Sequence, residues 1–252
     1  MSNSELKRAF GGKNQQPHKL KVSGDGVFYS IQGEGPTMGK PAVFLRLRLC
    51  NLKCAWCDTR YTWDLRSEEF WTESQDWTVK ETAKKIRKVW TCSNADVKKR
   101  LVITGGEPLI QQDNLVDLIS RLPEWDIEIE TNGTIVPRPE LIERYQFNCC
   151  PKTSNSLNSA SIRVRPEAIN KLKRANTVFK FVTTCLEDVK EIEQYYIKQF
   201  DLDPNEVIIM PQGITDEEVR INAQKVSEVV KEMGYRLLLR LHIALWGAKR
   251  KV

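Results

Sequence analysis

The run Ala42-Val43-Phe44-Leu45-Arg46-Leu47-Arg48-Leu49 leads directly into Cys50-Asn51-Leu52-Lys53-Cys54-Ala55-Trp56-Cys57. Apolar residues dominate the first half, which predicts a strand over residues 42–49. The second half holds three cysteines within eight residues, in the pattern Cys-x3-Cys-x2-Cys. A strand that ends in a cysteine loop indicates a metal site at the end of a sheet. Three thiolates on iron would leave one coordination position for another ligand.

The predicted strand has two different faces, because side chains alternate along a strand. Leu45, Leu47 and Leu49 share one face. The opposite face carries Phe44, Arg46, Arg48 and Cys50. We expect the leucines to pack on helices and the arginines to point into a polar cavity.

Later apolar segments also carry charges on one face. Acids alternate with isoleucines over residues 126–130, and Lys180 interrupts an aromatic segment. Arg236, Arg240 and His242 alternate with leucines. A fully buried parallel sheet usually consists of continuous apolar runs, so these charges predict strands that line a ligand cavity. A sheet that is half exposed to solvent remains the alternative.

Strand and helix patterns alternate along the chain and are separated by turn residues. Strands are predicted at Val27–Ile31, Ala42–Leu49, Arg100–Thr104, Asp126–Thr131, Phe147–Cys150, Thr177–Thr183, Val207–Met210 and Tyr235–Ile243. Helices are predicted at Thr78–Val89, Asp113–Ile119, Pro139–Tyr145, Pro166–Arg174, Leu186–Gln199 and Asp216–Met233. The stretch Tyr61–Trp77 has no clear period and is interpreted as an insertion.

This alternation predicts an α/β fold, namely a partial (open) βα barrel of about six parallel strands. The units are too few for a closed eight-fold barrel. Residues 1–20 are polar and are predicted to be a flexible leader. Residues 21–252 are predicted to form a single domain.

Composition narrows the class of protein. No apolar run in the 252 residues reaches the roughly 18 that a membrane span needs, and residues 1–20 lack the apolar core of a secretory signal. Seven cysteines, three of them crowded together, fit a reducing compartment better than a secreted disulfide scaffold. We therefore expect a cytoplasmic protein without a membrane partner.

The net charge of +6 fits a solvated lysine-rich surface. No arginine run or aromatic-basic pattern indicates a surface dedicated to nucleic acid, so no direct nucleic-acid partner is expected. A tRNA-binding protein stays open on charge alone.

The cysteine triplet has two further interpretations. A structural zinc site takes four Cys or His ligands, and no fourth candidate lies near the triplet. The only histidines are His18 and His242, and the other cysteines lie far along the chain. An unligated loop is the second interpretation.

The cysteine spacing resembles that of the radical S-adenosylmethionine (SAM) superfamily, in which three cysteines hold a 4Fe-4S cluster and the fourth iron is left for SAM. The resemblance implies that Cys50, Cys54 and Cys57 are the cluster ligands. Gly105-Gly106-Glu107-Pro108 and Glu130-Thr131-Asn132-Gly133, each after a predicted strand, are similar to SAM-binding stretches of the superfamily. The cofactor-binding residues implied there and around the third cysteine are Trp56, Cys57, Asp58, Gly106, Glu107 and Glu130.

Within the superfamily, four features resemble the 7-carboxy-7-deazaguanine synthase family. They are Tyr29-Ser30-Ile31-Gln32-Gly33-Glu34-Gly35, Arg46, Cys57-Asp58-Thr59, and His242-Ile243-Ala244-Leu245-Trp246-Gly247. The resemblance implies that Arg46 binds a substrate carboxylate and that Thr59 binds Mg²⁺. Further substrate contacts are implied for Ile31, Gln32, Gly33, Glu34 and Thr104. Two strand ends are similar to SAM-side stretches and add Cys150, Pro151, Lys152, Met210, Pro211, Gln212 and Gly213.

The resemblance implies a lyase reaction of queuosine-type 7-deazapurine biosynthesis. The substrate would be 6-carboxy-5,6,7,8-tetrahydropterin, the product 7-carboxy-7-deazaguanine, and the leaving group ammonia. The implied cofactors are the 4Fe-4S cluster, SAM and Mg²⁺. The implied partners are an external electron donor of flavodoxin or ferredoxin type and a second copy of the chain in a homodimer.

One departure concerns the C-terminal segment, where some members of the family have a substrate-contacting proline after the tryptophan. Here Gly247 takes that place, and the basic residues 249–251 follow. An activase of glycyl-radical enzymes and a zinc-binding module without catalysis remain the alternative functions.

Overall fold

The computed structural model describes residues 19–252. A nine-stranded sheet runs through this part of the chain in the order β3-β1-β2-β4-β5-β6-β7-β8-β9. The strands are β1 Lys19–Ile31, β2 Pro41–Leu47, β3 Gln75–Thr78, β4 Arg100–Gly105, β5 Asp126–Thr131, β6 Gln146–Cys149, β7 Thr177–Thr183, β8 Val207–Pro211 and β9 Arg236–Leu237.

The sheet is parallel from β2 through β4 to β9, while β1 runs antiparallel to both β2 and β3. Within residues 19–252 the sheet has two unpaired edges, β3 and β9, and is therefore not closed. The predicted α/β fold with a partial, open barrel is confirmed.

Helices connect the strands. They are α1 Glu68–Thr72, α2 Val79–Val89, α3 Gln112–Ser120, α4 Pro139–Ile142, α5 Ala160–Arg163, α6 Pro166–Leu172, α7 Leu186–Ile192, α8 Asp216–Met233 and α9 Leu241–Trp246. No helix of residues 19–252 is both long and apolar enough to cross a bilayer.

The apolar face of β2 forms part of the main core, as the alternation predicts. Leu45 and Leu47 are fully buried, together with the core-facing side chains of α2 and α3. The other face of β2 presents Phe44 and Arg46 to a cavity. Arg48 does not share this cavity-facing side, because β2 ends at Leu47. Its guanidinium lies over the Phe70 ring, 5.0 Å from the centroid, so the prediction that it points into the cavity is wrong.

The N-terminal strand is longer than predicted. β1 begins at Lys19 and Leu20 is fully buried, so these two residues belong to the sheet and not to a leader. Residues 1–18 lie outside the described part of the chain. The interpreted insertion contains α1 and β3, and β3 supplies the antiparallel partner of residues 19–22. Because the sequence of this stretch has no clear period, it did not predict the edge strand.

The last predicted strand, Tyr235–Ile243, is wrong. Only Arg236 and Leu237 pair with β8, and α9 begins at Leu241. The Leu241 amide donates to the Gly33 carbonyl over 3.0 Å instead of continuing a sheet ladder. The backbone therefore turns across the end of the barrel, where α9 covers part of the cavity.

The predicted helix Leu186–Gln199 is interrupted. α7 passes into a π-helical turn at Glu193–Ile197 and then into a last helical turn, Lys198–Phe200. A π-helical turn inserts an extra residue and changes the direction of the side chains. Here the turn contains Tyr196, which is fully buried and donates its hydroxyl to the Lys152 carbonyl over 2.6 Å.

Candidate active site

A cavity of about 730 Å³ lies at the carboxyl ends of the parallel strands. Its wall is built from the segment after β1, the cysteine loop after β2, the ends of β4 to β8, and the C-terminal segment around α9. Parallel strands bring their carboxyl ends to one edge of the sheet, so residues distant in sequence meet there.

The cysteine loop rests on the glycine turn after β4. The amides of Gly106 and Glu107 donate to the carbonyls of Leu47 and Leu49 over 3.1 and 2.7 Å. A Cβ atom on Gly106 would lie 2.1 Å from the Leu49 carbonyl oxygen. Glycine is therefore required because two backbones meet here.

Each of the three predicted cluster cysteines lines the cavity, and each sulfur is close to a side-chain N–H donor. Asn132 Nδ2 lies 3.9 Å from Cys50 Sγ, Asn158 Nδ2 3.4 Å from Cys54 Sγ, and Trp63 Nε1 3.2 Å from Cys57 Sγ. N–H donors stabilise negative charge on sulfur. The donor set therefore fits three metal-bound thiolates.

Burial raises the pKa of Cys50 to about 12 and also raises the pKa of Cys54. These thiols are protonated in the metal-free chain, and binding of a metal would release their protons. In residues 19–252, no three cysteine, histidine or carboxylate groups converge on the position of a single metal ion. A structural zinc ion requires such convergence, whereas the thiolates of a 4Fe-4S cluster bind different irons.

A chain of ion pairs crosses the cavity. Lys180, almost fully buried in β7, lies 2.9 Å from Glu34 Oε2 and 3.3 Å from Glu130 Oε1. Burial acts to lower the pKa of Lys180, but Glu130 and Glu34 outweigh it and raise that pKa. Thr104 donates its hydroxyl to Glu130 Oε2 over 2.7 Å. Lys180 therefore stays charged and connects the segment after β1, which carries Glu34, to β5.

Arg240 extends this chain to the cysteine loop. Its Nε lies 3.0 Å from Glu34 Oε1, its Nη1 donates to the Gly213 carbonyl, and its Nη2 pairs with Asp58. Burial alone would raise the pKa of Glu34, but Lys180, Arg240 and His242 hold it well below its usual range. The carboxylate next to the predicted substrate site is thus ionised.

Arg46 enters the cavity from β2 beside two stacked rings. The centroids of Phe28 and Phe44 are 5.2 Å apart and the rings are nearly parallel, at 8°. The Arg46 guanidinium lies 5.9 Å from the Phe28 centroid. A flat apolar surface next to a guanidinium suits a planar molecule that carries a carboxylate.

Gln32 presents a buried donor to the same space. Its side chain is 2 % exposed, and its Oε1 accepts from the Glu34 amide over 3.2 Å. Among the described residues, no acceptor is within hydrogen-bonding reach of its Nε2. A buried amide donor without a hydrogen-bond partner is unfavourable, so a ligand that places an acceptor at this point would gain binding free energy.

Most residues of the predicted site line this cavity, although their roles remain predictions. They are Ile31, Gln32, Gly33, Glu34, Arg46, Cys50, Cys54, Trp56, Cys57, Asp58, Thr59, Thr104, Gly106, Glu130, Cys150, Lys152, Met210 and Gln212. Lys152 Nζ lies 2.9 Å from Cys150 Sγ and 5.4 Å from the centroid of Trp56. The predicted magnesium ligand Thr59 lies with its Oγ1 3.6 Å from Cys57 Sγ.

Four predicted cofactor-binding residues stand outside the lining: Glu107, Pro151, Pro211 and Gly213. Glu107 is fully buried, and its carboxylate accepts from Thr131 Oγ1, the Asn132 amide and the Leu109 amide at 2.6–3.0 Å. Its oxygens already hold the glycine turn to the end of β5. This geometry does not support the predicted direct contact of the carboxylate with SAM.

The charge pattern predicts that Lys180, Arg240 and His242 face a cavity, but sequence reasoning did not include them among the binding residues of the site. Lys180, Arg240 and His242 line the cavity, and a Cβ on Gly33 would lie 2.1 Å from His242 Nδ1. The charge patterns of β7 and of residues 236–242 were the available signals. Asn158 and Trp63 carry no such signal, because their donor role depends on the folded position of each sulfur.

Comparisons with known proteins agree with this geometry. Residues 45–221 match the family model of the Radical SAM superfamily. The 7-carboxy-7-deazaguanine synthase of Pyrobaculum aerophilum is 33% identical over 227 residues, which cover 89% of this chain and 94% of that protein. That of Halobacterium salinarum is 32% identical over 245 residues, with 88% and 89% covered.

The crystal structure of QueE from Escherichia coli has the same fold, with a TM-score of 0.66 and 23% sequence identity. The match covers 89% of this chain and 95% of that chain. These relatives favour neither the activase nor the zinc-module alternative. With such identity over nearly the full length of both proteins, the chain belongs to the radical SAM superfamily and, within it, to the 7-carboxy-7-deazaguanine synthase family.

Proposed function

We propose that the chain converts 6-carboxy-5,6,7,8-tetrahydropterin to 7-carboxy-7-deazaguanine with loss of ammonia. One observation carries the proposal. A single cavity holds three cysteine thiols on one side and, on the other, Arg46 beside the stacked rings of Phe28 and Phe44. Residues 19–252 act as one catalytic domain in this proposal.

The cofactor supplies the difficult chemistry, and the protein supplies position and electrostatics. A 4Fe-4S cluster with SAM would provide, when bound, a carbon-centred radical that abstracts a substrate hydrogen. Cys50, Cys54 and Cys57 would hold the cluster. The residues at the SAM side would be Trp56, Asp58, Gly106, Glu130, Cys150, Lys152, Met210 and Gln212.

Arg46 would bind the substrate carboxylate, since a guanidinium forms two parallel hydrogen bonds to a carboxylate. Gln32 Nε2 and Thr104 would face the polar edge of the pterin. Glu34, which Lys180 and Arg240 keep ionised, would accept from ring N–H groups. The hydroxyl of Thr59 would bind Mg²⁺, a hard cation that prefers oxygen ligands and keeps several waters.

An anaerobic assay tests the proposal directly. Reconstituted protein, SAM, a chemical reductant and the pterin should yield 7-carboxy-7-deazaguanine, identified by mass spectrometry. A chain with an intact cluster but no such product would disprove the substrate assignment. Cys54→Ala should abolish both the absorbance near 400 nm and turnover.

The role of Arg46 has its own test. Arg46→Ala should raise the KM for the pterin by a factor on the order of 10–100, because a charged hydrogen-bonded pair is worth about 1.5–3 kcal/mol. Arg66→Ala is the control, because the Arg66 side chain is 84% exposed. An unchanged KM in Arg46→Ala would rule out the carboxylate contact.

Finer aspects of the proposal rest on the family resemblance. They are a cytoplasmic location, an external electron donor of flavodoxin or ferredoxin type, and a homodimer. Light scattering coupled to size-exclusion chromatography would test the dimer, and a single-chain mass at micromolar concentration would contradict it.

A further inference from the structure

Leu157 combines two features that are each unfavourable to folding. Its side chain is 80% exposed, and its backbone is left-handed, with φ 59° and ψ 15°. A single exposed leucine is ordinary in proteins. A left-handed leucine is not, because its Cβ crowds the following carbonyl. Strained backbone that persists points to a function at that position.

The segment around Leu157 is joined to the cysteine loop. Asn155 Oδ1 accepts from Trp56 Nε1 over 3.0 Å, and the Ser156 carbonyl accepts from the Ala55 amide over 3.0 Å. Hydrogen bonds therefore hold residues 153–158 against the cysteine loop, and we name them the covering loop.

The next residue after Leu157 reaches a cluster ligand. Asn158 Oδ1 accepts from the Lys53 amide over 3.0 Å, and its Nδ2 donates to Cys54 Sγ over 3.4 Å. One peptide unit and one hydrogen bond thus separate an exposed apolar side chain from a sulfur that would bind iron. Leu157 and Lys53 do not line the cavity, whereas the exposed residues Ala55 and Arg60 do, so a molecule seated on Leu157 would lie next to the cysteine loop beside the cavity.

The charge around this surface is positive. Lys53 and Arg60 are both exposed, and the Arg60 guanidinium donates to the Ala55 carbonyl, which fixes it beside the cysteine loop. The acid that touches the covering loop, Glu191, is paired with Arg163 at 2.8 Å. This surface is therefore complementary to an acidic partner.

We propose that Leu157, together with Ala55, Lys53 and Arg60, forms the docking surface for a small acidic one-electron carrier protein. The inference rests on the proposed function, because the oxidised cluster must gain an electron before it can react with SAM. In the step itself the carrier loses one electron and the cluster gains one, with no bond made or broken. The apolar side chain gives contact area, and the cations orient the carrier.

Stopped-flow reduction of the reconstituted holoenzyme by flavodoxin hydroquinone tests this surface. Absorbance near 400 nm reports the oxidised cluster, so the readout does not require product. Leu157→Asn keeps a residue that tolerates left-handed backbone and removes the apolar contact. We expect the rate with flavodoxin to fall at least about tenfold, with the rate from dithionite unchanged.

Two further variants sharpen the result. Lys53→Glu should slow reduction by flavodoxin and weaken its dependence on ionic strength. Ile221→Asn removes an exposed apolar side chain from α8, away from the cysteine loop, and should change neither rate. An unchanged flavodoxin rate in Leu157→Asn, or an equal loss with dithionite, would overturn the docking surface. Failure of the proposed function would appear separately, as normal cluster reduction without deazaguanine product.

Discussion

Lys180 lies in the middle of β7 between aromatic and aliphatic residues. Although it carries a charge, its side chain is only 2 % exposed. Its ammonium lies within 3.3 Å of two carboxylates, those of Glu34 and Glu130. One cation therefore pairs with two carboxylates in a confined space. The sequence predicts that this residue faces a cavity, but its two partners become evident only in the folded chain.

Replacing Lys180 with methionine should lower the free energy of unfolding by about 3–5 kcal/mol, because two partly buried acids lose their shared partner. Urea denaturation measures this change. Lys198→Met is the control: its side chain is 63% exposed and pairs with Glu193 at the surface. There the change should stay within about 0.5 kcal/mol. Similar losses in both variants would contradict a special role for Lys180.

The N–H donors at the cysteine sulfurs should raise the reduction potential of the cluster. Trp63→Phe removes the donor that lies 3.2 Å from Cys57 Sγ. Such bonds stabilise the more negative, reduced cluster, so its reduction potential should become more negative in the variant. A redox titration followed by electron paramagnetic resonance measures it.

Trp71→Phe is a matched control for Trp63→Phe, because the Trp71 indole is 62% exposed and donates to the Leu65 carbonyl. An identical potential in the wild type and Trp63→Phe, with the cluster signal intact, would show that this bond has no influence.

At the scale of elements, the segment after α8 shows why alternation misled the prediction. In the predicted strand Leu237 and Leu239 lie opposite Arg236 and Arg240, but in the structure these leucines are 36% and 46% exposed. In the described part of the chain, β9 is an edge strand that pairs with β8 alone. Few buried contacts therefore stabilise an extended backbone at this edge. The Leu241 amide donates to the Gly33 carbonyl instead, and α9 begins at this residue. Local periodicity contains no information about that distant acceptor.

The π-helical turn of α7 should be needed for the position of Lys152. The Tyr196 hydroxyl accepts from Arg163 Nη1 over 3.2 Å and donates to the Lys152 carbonyl over 2.6 Å. Tyr196→Phe should lower the free energy of unfolding by about 1–3 kcal/mol, because buried groups lose their partner. It should also raise the Kd for SAM, measured by calorimetry.

Tyr195→Phe serves as the neighbouring control, because the Tyr195 side chain is 57% exposed. A normal SAM affinity in Tyr196→Phe, at reduced stability, would limit the turn to a structural role.

At the scale of the whole molecule, the chain should lose stability in acid. Glu34 has an ordinary pKa of 4.5, and the folded protein holds it well below that value. As the pH falls through about 5, the unfolded chain binds a proton before the folded chain does. Stability is therefore complete above this pH and is lost progressively towards the lower, folded pKa.

Glu34→Gln should flatten the pH dependence of the unfolding free energy between about pH 6 and pH 3. Glu217→Gln, at an exposed position of α8, should leave it unchanged. An identical slope in the wild type and Glu34→Gln would show that other carboxylates govern acid unfolding.

The alternation of strands and helices, and the edge of the sheet at which the predicted site residues lie, could be predicted because they depend on local patterns. Turn residues after each strand mark the carboxyl ends, and parallel strands bring these ends together. The antiparallel edge β3 could not be predicted, since its stability comes from pairing with residues 19–22, more than fifty positions away. The partners of Glu107 could not be predicted for a similar reason, because Thr131 and Asn132 lie at the end of another strand.

The Arg240 side chain touches three separate parts of the chain: Glu34, Asp58 and the Gly213 carbonyl. A change at any one of these positions alters the surroundings of the other two. Their mutational effects should therefore be strongly non-additive, and substitutions tolerated in one member of the family should fail when moved alone into another. Replacements at this corner of the cavity should therefore be tolerated when the charged partners change together.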